Sequence, residues 1–389
     1  MMVRRILENK WAMFVLIAFI YFARNYFRFF DNALWAEDGK IFLAQSYELG
    51  WDSIFNPYNG YLHILIRVFV LLLSKIPLLI IPTAFHISAY LVTMYTVFII
   101  ISSKLDIEKI YKNLLALTLV TVVASSGHGI DREIFIILTN VQWFTCFILI
   151  LHIMENYNNR FRVLPIVHAL IFGLQGPFSV LLAPFAILKG VLIREKSLSY
   201  WFFTLVLTAT GVMQYYIGWH RFSQSHHIKL SLWLHQFFAL IANYLGNFSA
   251  LYVLLLIVVL RKLYLKSHII QLGYLAGLNL LALLSIASAF RMVGFVFTPE
   301  MVGRYFFIVY ILFNWTLVYI ISFKFLNNFY IYSAKILFLI GLLYMCKSFF
   351  TPINNSYCWK DQVENYKADR GYQFTEAPGQ DNWKFKLLK

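Results

Sequence analysis

Charge is what this sequence has least of. Asp, Glu, Lys and Arg make up 13% of 389 residues, 60% are hydrophobic, and the mean hydropathy is +0.68. A soluble domain carries about a quarter charged residues, so a water-facing globule is excluded. Cysteine is scarce too: Cys146, Cys346 and Cys358 stand at unrelated spacings and give neither a disulfide framework nor a metal site. Acids are outnumbered, 18 against 33 bases, for a formal charge of +15. That excess would suit nucleic acid, but its placement argues otherwise. The bases fall in short clusters between apolar runs, at Lys104–Lys112, Arg160–Arg162, Arg194–Lys196 and Arg261–Lys266. This is the pattern of cytoplasmic loops under the positive-inside rule. Internal repeats and low-complexity tracts are missing. The first apolar run follows Arg4, Arg5 and Lys10 and ends in Arg24-Asn25-Tyr26-Phe27-Arg28 with no small-residue cleavage site, so it reads as a retained helix.

What the chain does have is apolar runs near twenty residues, repeated along its length. They predict an all-α, polytopic integral membrane protein with about eleven transmembrane helices and one or two interfacial or re-entrant helices. The spans read as 11–30, 83–103, 111–126, 141–154, 163–176, 178–193, 200–218, 249–264, 269–289, 304–324 and 334–350. Residues 1–350 form the transmembrane domain. Within it, 31–82 hold a polar outer loop and an amphipathic or re-entrant stretch broken at Pro77 and Pro82. Residues 231–247 read as a second interfacial helix, and 351–389 as a short outer-face tail. An odd number of crossings places the N-terminus in the cytoplasm and the tail outside. Of the acids, only Glu8, Asp106, Glu108, Glu155 and Glu195 then fall inside. Acids barely influence insertion, so their concentration on the outer face calls for chemistry there.

Four stretches offer it. Trp35-Ala36-Glu37-Asp38-Gly39 sets two carboxylates at a membrane surface, where one would draw a proton from an attacking hydroxyl; Gly39 permits a tight turn aiming it inward. Asn56-Pro57-Tyr58-Asn59-Gly60-Tyr61-Leu62-His63 follows, and His63 and Arg67 stand i, i+4 on one helical face, suited to a phosphate. A solvated loop with a helix cap and a snorkelling Arg accounts for the same residues. In Gly127-His128-Gly129-Ile130-Asp131-Arg132-Glu133, Asp131 or Glu133 would bind or activate an acceptor and Arg132 hold a donor phosphate; an internal ion pair is the plainer account. Thr139-Asn140-Val141-Gln142-Trp143 comes next. Gly173-Leu174-Gln175-Gly176-Pro177-Phe178-Ser179 reads as a tight turn between antiparallel spans rather than a ligand contact. Between Arg291 and Arg304, ending in Gly303-Arg304-Tyr305, outer-face arginines suit a lipid phosphate, with Glu300 as a neutralising acid. His220, His226, His227 and His235 lack a zinc spacing and read as interfacial polar residues. No cofactor is implied, and a divalent cation stays open.

These motifs resemble those of the GT-C superfamily, polytopic glycosyltransferases that use polyprenyl-phosphate-linked sugars at the outer face. An acidic motif after the first span marks that superfamily, and Glu37-Asp38-Gly39 sits there. The nearer resemblance is to bacterial glycosyltransferases of surface-polysaccharide and O-antigen modification, in which WAEDG, NPYxGYLH with a downstream Arg, NxQW, GPF and GRY appear in this order. The resemblance implies an inverting enzyme of the bacterial inner membrane. It would move a hexose such as glucose from the polyprenyl phosphate to a glycan hydroxyl. Asp38 or Glu37 would be the catalytic carboxylate and Asp131 the second acid. Arg132 and Arg304, with Arg67 and His63, would meet the donor phosphate; Tyr61, Asn140, Gln142, Trp143 and Glu133, with His63 also a candidate here, would shape the sugar and acceptor pocket. The short tail departs from larger members with a soluble C-terminal domain and leaves the small-glycan modifiers in front. The rivals are an O-antigen polymerase, which would change repeat length, a lipid-linked sugar flippase or transporter, whose charges would sit at the midplane, and an O-acyltransferase, for which the sequence offers no intramembrane histidine constellation.

Overall fold

The fold follows from apolar runs that satisfy their backbone internally as helix. The computed structural model describes residues 7–30, 33–121, 134–157, 161–223, 257, 269–289, 306–323, 326–349, 358–375 and 384–387. Among these are 13 α-helices: α1 (Lys10–Phe30), α2 (Ala44–Leu49), α3 (Ile64–Leu73), α4 (Ile81–Ile101), α5 (Lys109–Thr121), α6 (Gln142–Met154), α7 (Val163–Gly173), α8 (Phe178–Leu192), α9 (Leu198–Ser223), α10 (Ile269–Ala289), α11 (Phe306–Ser322), α12 (Asn328–Phe349) and α13 (Trp359–Ala368). One two-stranded antiparallel ribbon joins β1 (Phe374–Thr375) to β2 (Lys384–Phe385). The fold is mostly helical. Among the described residues, two helical segments, Lys10–Phe30 and Leu78–Ile101, are long and apolar enough to cross a membrane by length and composition alone.

The helices run up and down. Tyr90 Oη donates to Ala18 O at 3.0 Å, pairing α4 antiparallel with α1, while Arg24 Nη1 reaches Val120 O at 2.7 Å on α5, which runs alongside α1. Trp315 on α11 plugs the centre, its indole donating to Leu115 O and Thr118 Oγ1 at 3.2 Å. The packing is inverted relative to a water-soluble bundle. Val163, Leu164, Val167, Leu170 and Ile171 of α7, and Ile187, Leu188, Val191 and Leu192 of α8, form exposed apolar stripes. Thr93, Thr96, His168, Thr204 and Gln214, by contrast, face inward and are buried. In water such stripes would be association sites.

One end of the bundle gathers bases and their partners: Asn113 reaches Leu7 O, Lys112 Nζ donates to Ser103 O, and Arg162 pairs with Glu155. At the other end lie residues 33–80 and the tail. The loop expected between α1 and α3 is built of short helical pieces. It folds as a π-helical turn (Asp38–Leu43), then α2, then a 3-10 segment (Gly50–Phe55). Its Phe42 and Leu43 share a second apolar core with Ile66, Val70, Trp359, Val363, Phe374, Phe385 and Leu387. The tail is thus a small ordered cap, pinned where the Trp359 indole donates to Leu78 O at 2.9 Å. The stretch 61–80 breaks as expected at Pro77, with α3 before it and a 3-10 turn (Leu78–Ile80) after, whereas Pro82, the second expected break, sits in the first turn of α4, where a helix tolerates proline. The interfacial helix expected at 231–247 and the span at 249–264 lie outside the described residues, residue 257 excepted.

Candidate functional site

The acidic motif is turned inward, but not at its glycine. Ala36 takes the positive φ, at 32°, and Asp38 N–H donates to Trp35 O at 2.7 Å; Gly39 lies within the π-helical turn. Glu37 and Asp38 are 4% and 1% exposed, so the acidic pair is not solvated, although the loop beyond it exposes Trp51 and Phe55. The Asp38 carboxylate accepts from Thr139 N–H at 2.9 Å, from the Thr139 hydroxyl, and from Leu138 N–H at 3.3 Å. These donors belong to the first turn of the 3-10 segment Leu138–Val141, which the carboxylate caps. Burial pushes the Asp38 carboxyl up to about 7; the Thr139 and Leu138 hydrogen bonds oppose the rise and Glu37 adds to it. A carboxylate has about four lone-pair sites, so three accepted bonds leave Oδ2 room for one more donor.

His63 and Arg67 follow on α3. The expected i, i+4 relation holds, with Arg67 N–H donating to His63 O at 2.9 Å. Arg67 does not snorkel. It is 1% exposed, its guanidinium 4.6 Å above the Phe42 ring, and none of Nε, Nη1 and Nη2 has a hydrogen-bond partner among the described residues. A guanidinium out of water with five donors unmet is costly, and an anion is what would satisfy it. His63 carries no charge to share that task. Burial, then the neighbouring Arg67, push its imidazole down to about 3 against a hydrogen bond with the Tyr58 backbone. Its Nδ1 is buried without a partner.

The glycine-proline turn comes to the same place. Gly176 N–H donates to Leu62 O at 3.0 Å and Ile64 N–H to Leu174 O at 3.3 Å, so 174–176 lie antiparallel against 62–64. Gln214 clamps Leu62 through both its backbone groups, at 2.8 and 3.1 Å. Gln175 accepts from Leu65 N–H at 3.1 Å and leaves Nε2 buried and unmatched. Gly176 has φ +75°; a Cβ there would collide with Gln142 Oε1 and lie 3.9 Å from His63 Cε1. Gln142 Oε1 is likewise buried with no partner. Trp143 stacks edge-on against Phe178 at 5.3 Å and donates to Asn140 Oδ1 at 3.3 Å. Tyr61, partly exposed, pairs with Tyr58 through the backbone.

Four motifs distant in sequence therefore converge: 35–39, 56–67, 139–143 and 173–179. The last was expected to be only a turn; it is a turn, and it also presents Gln175 to the cluster. Asp131, Arg132, Glu133 and Arg304 lie outside the described residues, as do Arg291, Glu300, His226, His227 and His235. Thr139, Gln175 and Gln214 were not singled out by chemistry in the sequence. Single amides in apolar runs were the available signal.

A second polar cluster sits at the basic end. His152 Nδ1 meets Glu155 Oε2 at 3.2 Å, His152 Nε2 meets His168 Nδ1 at 2.8 Å, and His168 Nε2 meets Tyr95 Oη at 2.6 Å. Glu155 also pairs with Arg162 at 2.9 Å and accepts from Lys104 N–H at 2.7 Å. Burial raises its pKa, but His152, the Lys104 amide and Arg162 outweigh it and hold the carboxyl at about 2. A buried histidine constellation, which the sequence did not reveal, is thus present within the helical bundle. Sixteen residues separate its two histidines, and only packing brings them together. All four ring nitrogens are engaged, so the cluster fastens helices and leaves no imidazole for a substrate. Among the described residues, no group of three His, Cys, Asp or Glu is placed to hold a metal ion.

No protein-family model matches the chain, and neither the curated proteins nor the solved structures contain a match to it.

Proposed function

We propose that the protein is a polytopic membrane glycosyltransferase of about eleven spans. It takes a sugar from a polyprenyl-phosphate donor to a glycan hydroxyl at the outer face of a bacterial inner membrane. The observation that carries this reading is Arg67, a buried guanidinium with no hydrogen-bond partner among the described residues, on the same short loop and helix that bury Asp38. Outward apolar stripes, inward polar side chains and the division into a basic end and an acid-bearing end support the membrane setting. A donor with an apolar tail and an anionic phosphate matches a guanidinium enclosed near such a surface.

In the proposed reaction the acceptor oxygen attacks the anomeric carbon as the bond to the phosphate oxygen breaks. The phosphate leaves with the electron pair, its charge taken by Arg67, and the hydroxyl proton goes to Asp38 Oδ2. Attack opposite the leaving group inverts the configuration. A base near 7 is matched to its task at neutral pH. Glu37, beside it, is the alternative acid; Asp131, Arg132 and Arg304 remain assigned by the resemblance. The test is transfer by purified protein of radiolabelled hexose from polyprenyl phosphate to cell-derived glycan. Asp38→Asn should abolish transfer with insertion intact; full activity in both Asp38→Asn and Glu37→Gln removes the loop from the mechanism.

A further inference from the structure

Arg67 owes its place to residues far from it in sequence. Its N–H, donating to His63 O at 2.9 Å, closes the first hydrogen-bonded turn of α3. A helix leaves the N–H groups of that turn without intrahelical acceptors, and the side chain of His63, at the cap position, supplies none. The acceptors come from the turn between α7 and α8 instead. Leu174 O takes Ile64 N–H at 3.3 Å, and Gln175 Oε1 takes Leu65 N–H at 3.1 Å. Just before the helix, a single side chain of α9 holds both backbone groups of Leu62. Gln214 Oε1 accepts from Leu62 N–H at 2.8 Å, and Gln214 Nε2 donates to Leu62 O at 3.1 Å. Gly176 N–H donates to the same oxygen at 3.0 Å.

Gln214 is chemically suited to this and to little else in its setting. Its neighbours Val212, Met213, Tyr215 and Tyr216 are exposed, while Gln214 itself is fully buried. A primary amide carries an acceptor and a donor side by side, so it can meet the N–H and the C=O of one residue together, as a neighbouring strand would. The helix that bears it is closely seated. A Cβ on Gly211 would lie 3.0 Å from Ser179 O, so α9 runs against the turn with no room for a side chain between them. The Ser179 hydroxyl in turn donates to Gly173 O at 2.6 Å and closes that turn on itself. A shift of α9 against this turn would therefore pull on Leu62, and through it on the first turn of α3.

We infer that Gln214 is a positioning residue for Arg67: by gripping both backbone groups of Leu62 it fixes where α3 begins, and so where the guanidinium is presented to an anion. The identity of the anion, a polyprenyl phosphate, rests on the glycosyltransferase reading; the grip on Leu62 does not. Gln214 belongs to none of the motifs that carry the resemblance.

The test uses the full-length protein in nanodiscs. Gln214→Met keeps the length of the side chain and removes both bonds; Gln175→Met removes only the acceptor for Leu65. Amide hydrogen exchange in peptides covering 62–67 should quicken ~10-fold or more in Gln214→Met and less in Gln175→Met, with peptides of α4 within ~2-fold of wild type. Binding of polyprenyl phosphate should weaken ~10-fold in Gln214→Met. Because the effect passes through Arg67, adding Gln214→Met to Arg67→Gln should weaken it by no more than a further ~2-fold. Equal weakening in both backgrounds would mean that Gln214 only supports the fold, and overturns the inference. Unchanged exchange at 62–67 overturns it as well. Should Gln214→Met fail to fold, the same two measurements on Gln175→Met decide, with effects of ~3-fold expected. If the wild type binds polyprenyl phosphate and neither variant weakens it, the inference fails and the glycosyltransferase reading stands. If the wild type does not bind it, both fail.

Discussion

Replacing Arg67 with methionine should make the empty protein more stable and the loaded protein less so. Arg67 is 1% exposed with no hydrogen bond from any guanidinium nitrogen to a described residue, and the Phe42 ring lies 4.6 Å away. Exchanging buried charge for an apolar side chain of similar volume gains about 1–4 kcal/mol. The lost cation–π contact returns about 1 kcal/mol. The net is about 2 kcal/mol. At an unfolding entropy of about 2 cal/mol/K per residue, a chain of 389 residues would melt about 2–3 °C higher. Polyprenyl-phosphate sugar at a hundred times its dissociation constant stabilises a protein that binds it by about 2.7 kcal/mol, enough to raise the wild type by about 3 °C and the variant not at all. The order of melting temperatures should therefore reverse or close on adding donor. The assay is tryptophan fluorescence during heating in detergent, with and without donor. A variant that melts lower than wild type without donor would refute the reasoning, because Arg67 would then be paired and structural. So would a variant that still gains from donor.

Three further outcomes follow from the site and its counterpart. Transfer should rise about tenfold per pH unit up to about 7 and then level, as Asp38 loses its proton; a flat profile between pH 5 and 8 removes Asp38 as the base. Asp38 is a carboxyl raised above its usual value, so its contribution to stability is complete below pH 3.8 and is lost as pH rises through about 7. Thr139→Val takes one donor from the charged form, so the midpoint of the transfer profile should move upward, by up to about one unit; no movement would mean that the hydroxyl does not bear on the acid. Glu155→Gln should destabilise by about 3 kcal/mol by leaving Arg162 and His152 without their carboxylate, read as a lower melting temperature. Since Glu155 is depressed to about 2 from 4.5, its contribution is present above pH 4.5 and fades as pH falls toward 2. An unchanged melting temperature in Glu155→Gln would disprove the fastening role.

The helical segments were legible because hydrophobicity sets both where they start and where they stop. The span read as 178–193 is Phe178–Leu192, and 269–289 is Ile269–Ala289. The helical pieces inside the outer loop went unread because each is six residues long, too short to show a period, and they draw stability from the apolar core shared with the tail. The inward turn was assigned to Gly39 on composition, whereas Ala36 bears it, held by the backbone bonds on either side. Each motif of the site could be picked out one at a time, and their order gave the resemblance. Their meeting point could not, because Asp38 and Thr139 lie 101 residues apart and Leu62 and Gln214 lie 152 apart. Nothing local in a sequence encodes such pairings.

The roof over the acidic turn is supplied by residues some three hundred positions further along the chain. Trp359 reaches back 281 positions to Leu78, and Phe385 shares its apolar core with Phe42. During translation, Phe42 and Leu43 wait uncovered until residues 359 to 387 have been made. A chain cut before Trp359 would therefore carry the described helices through α12 and still leave the seam beside Asp38 ajar.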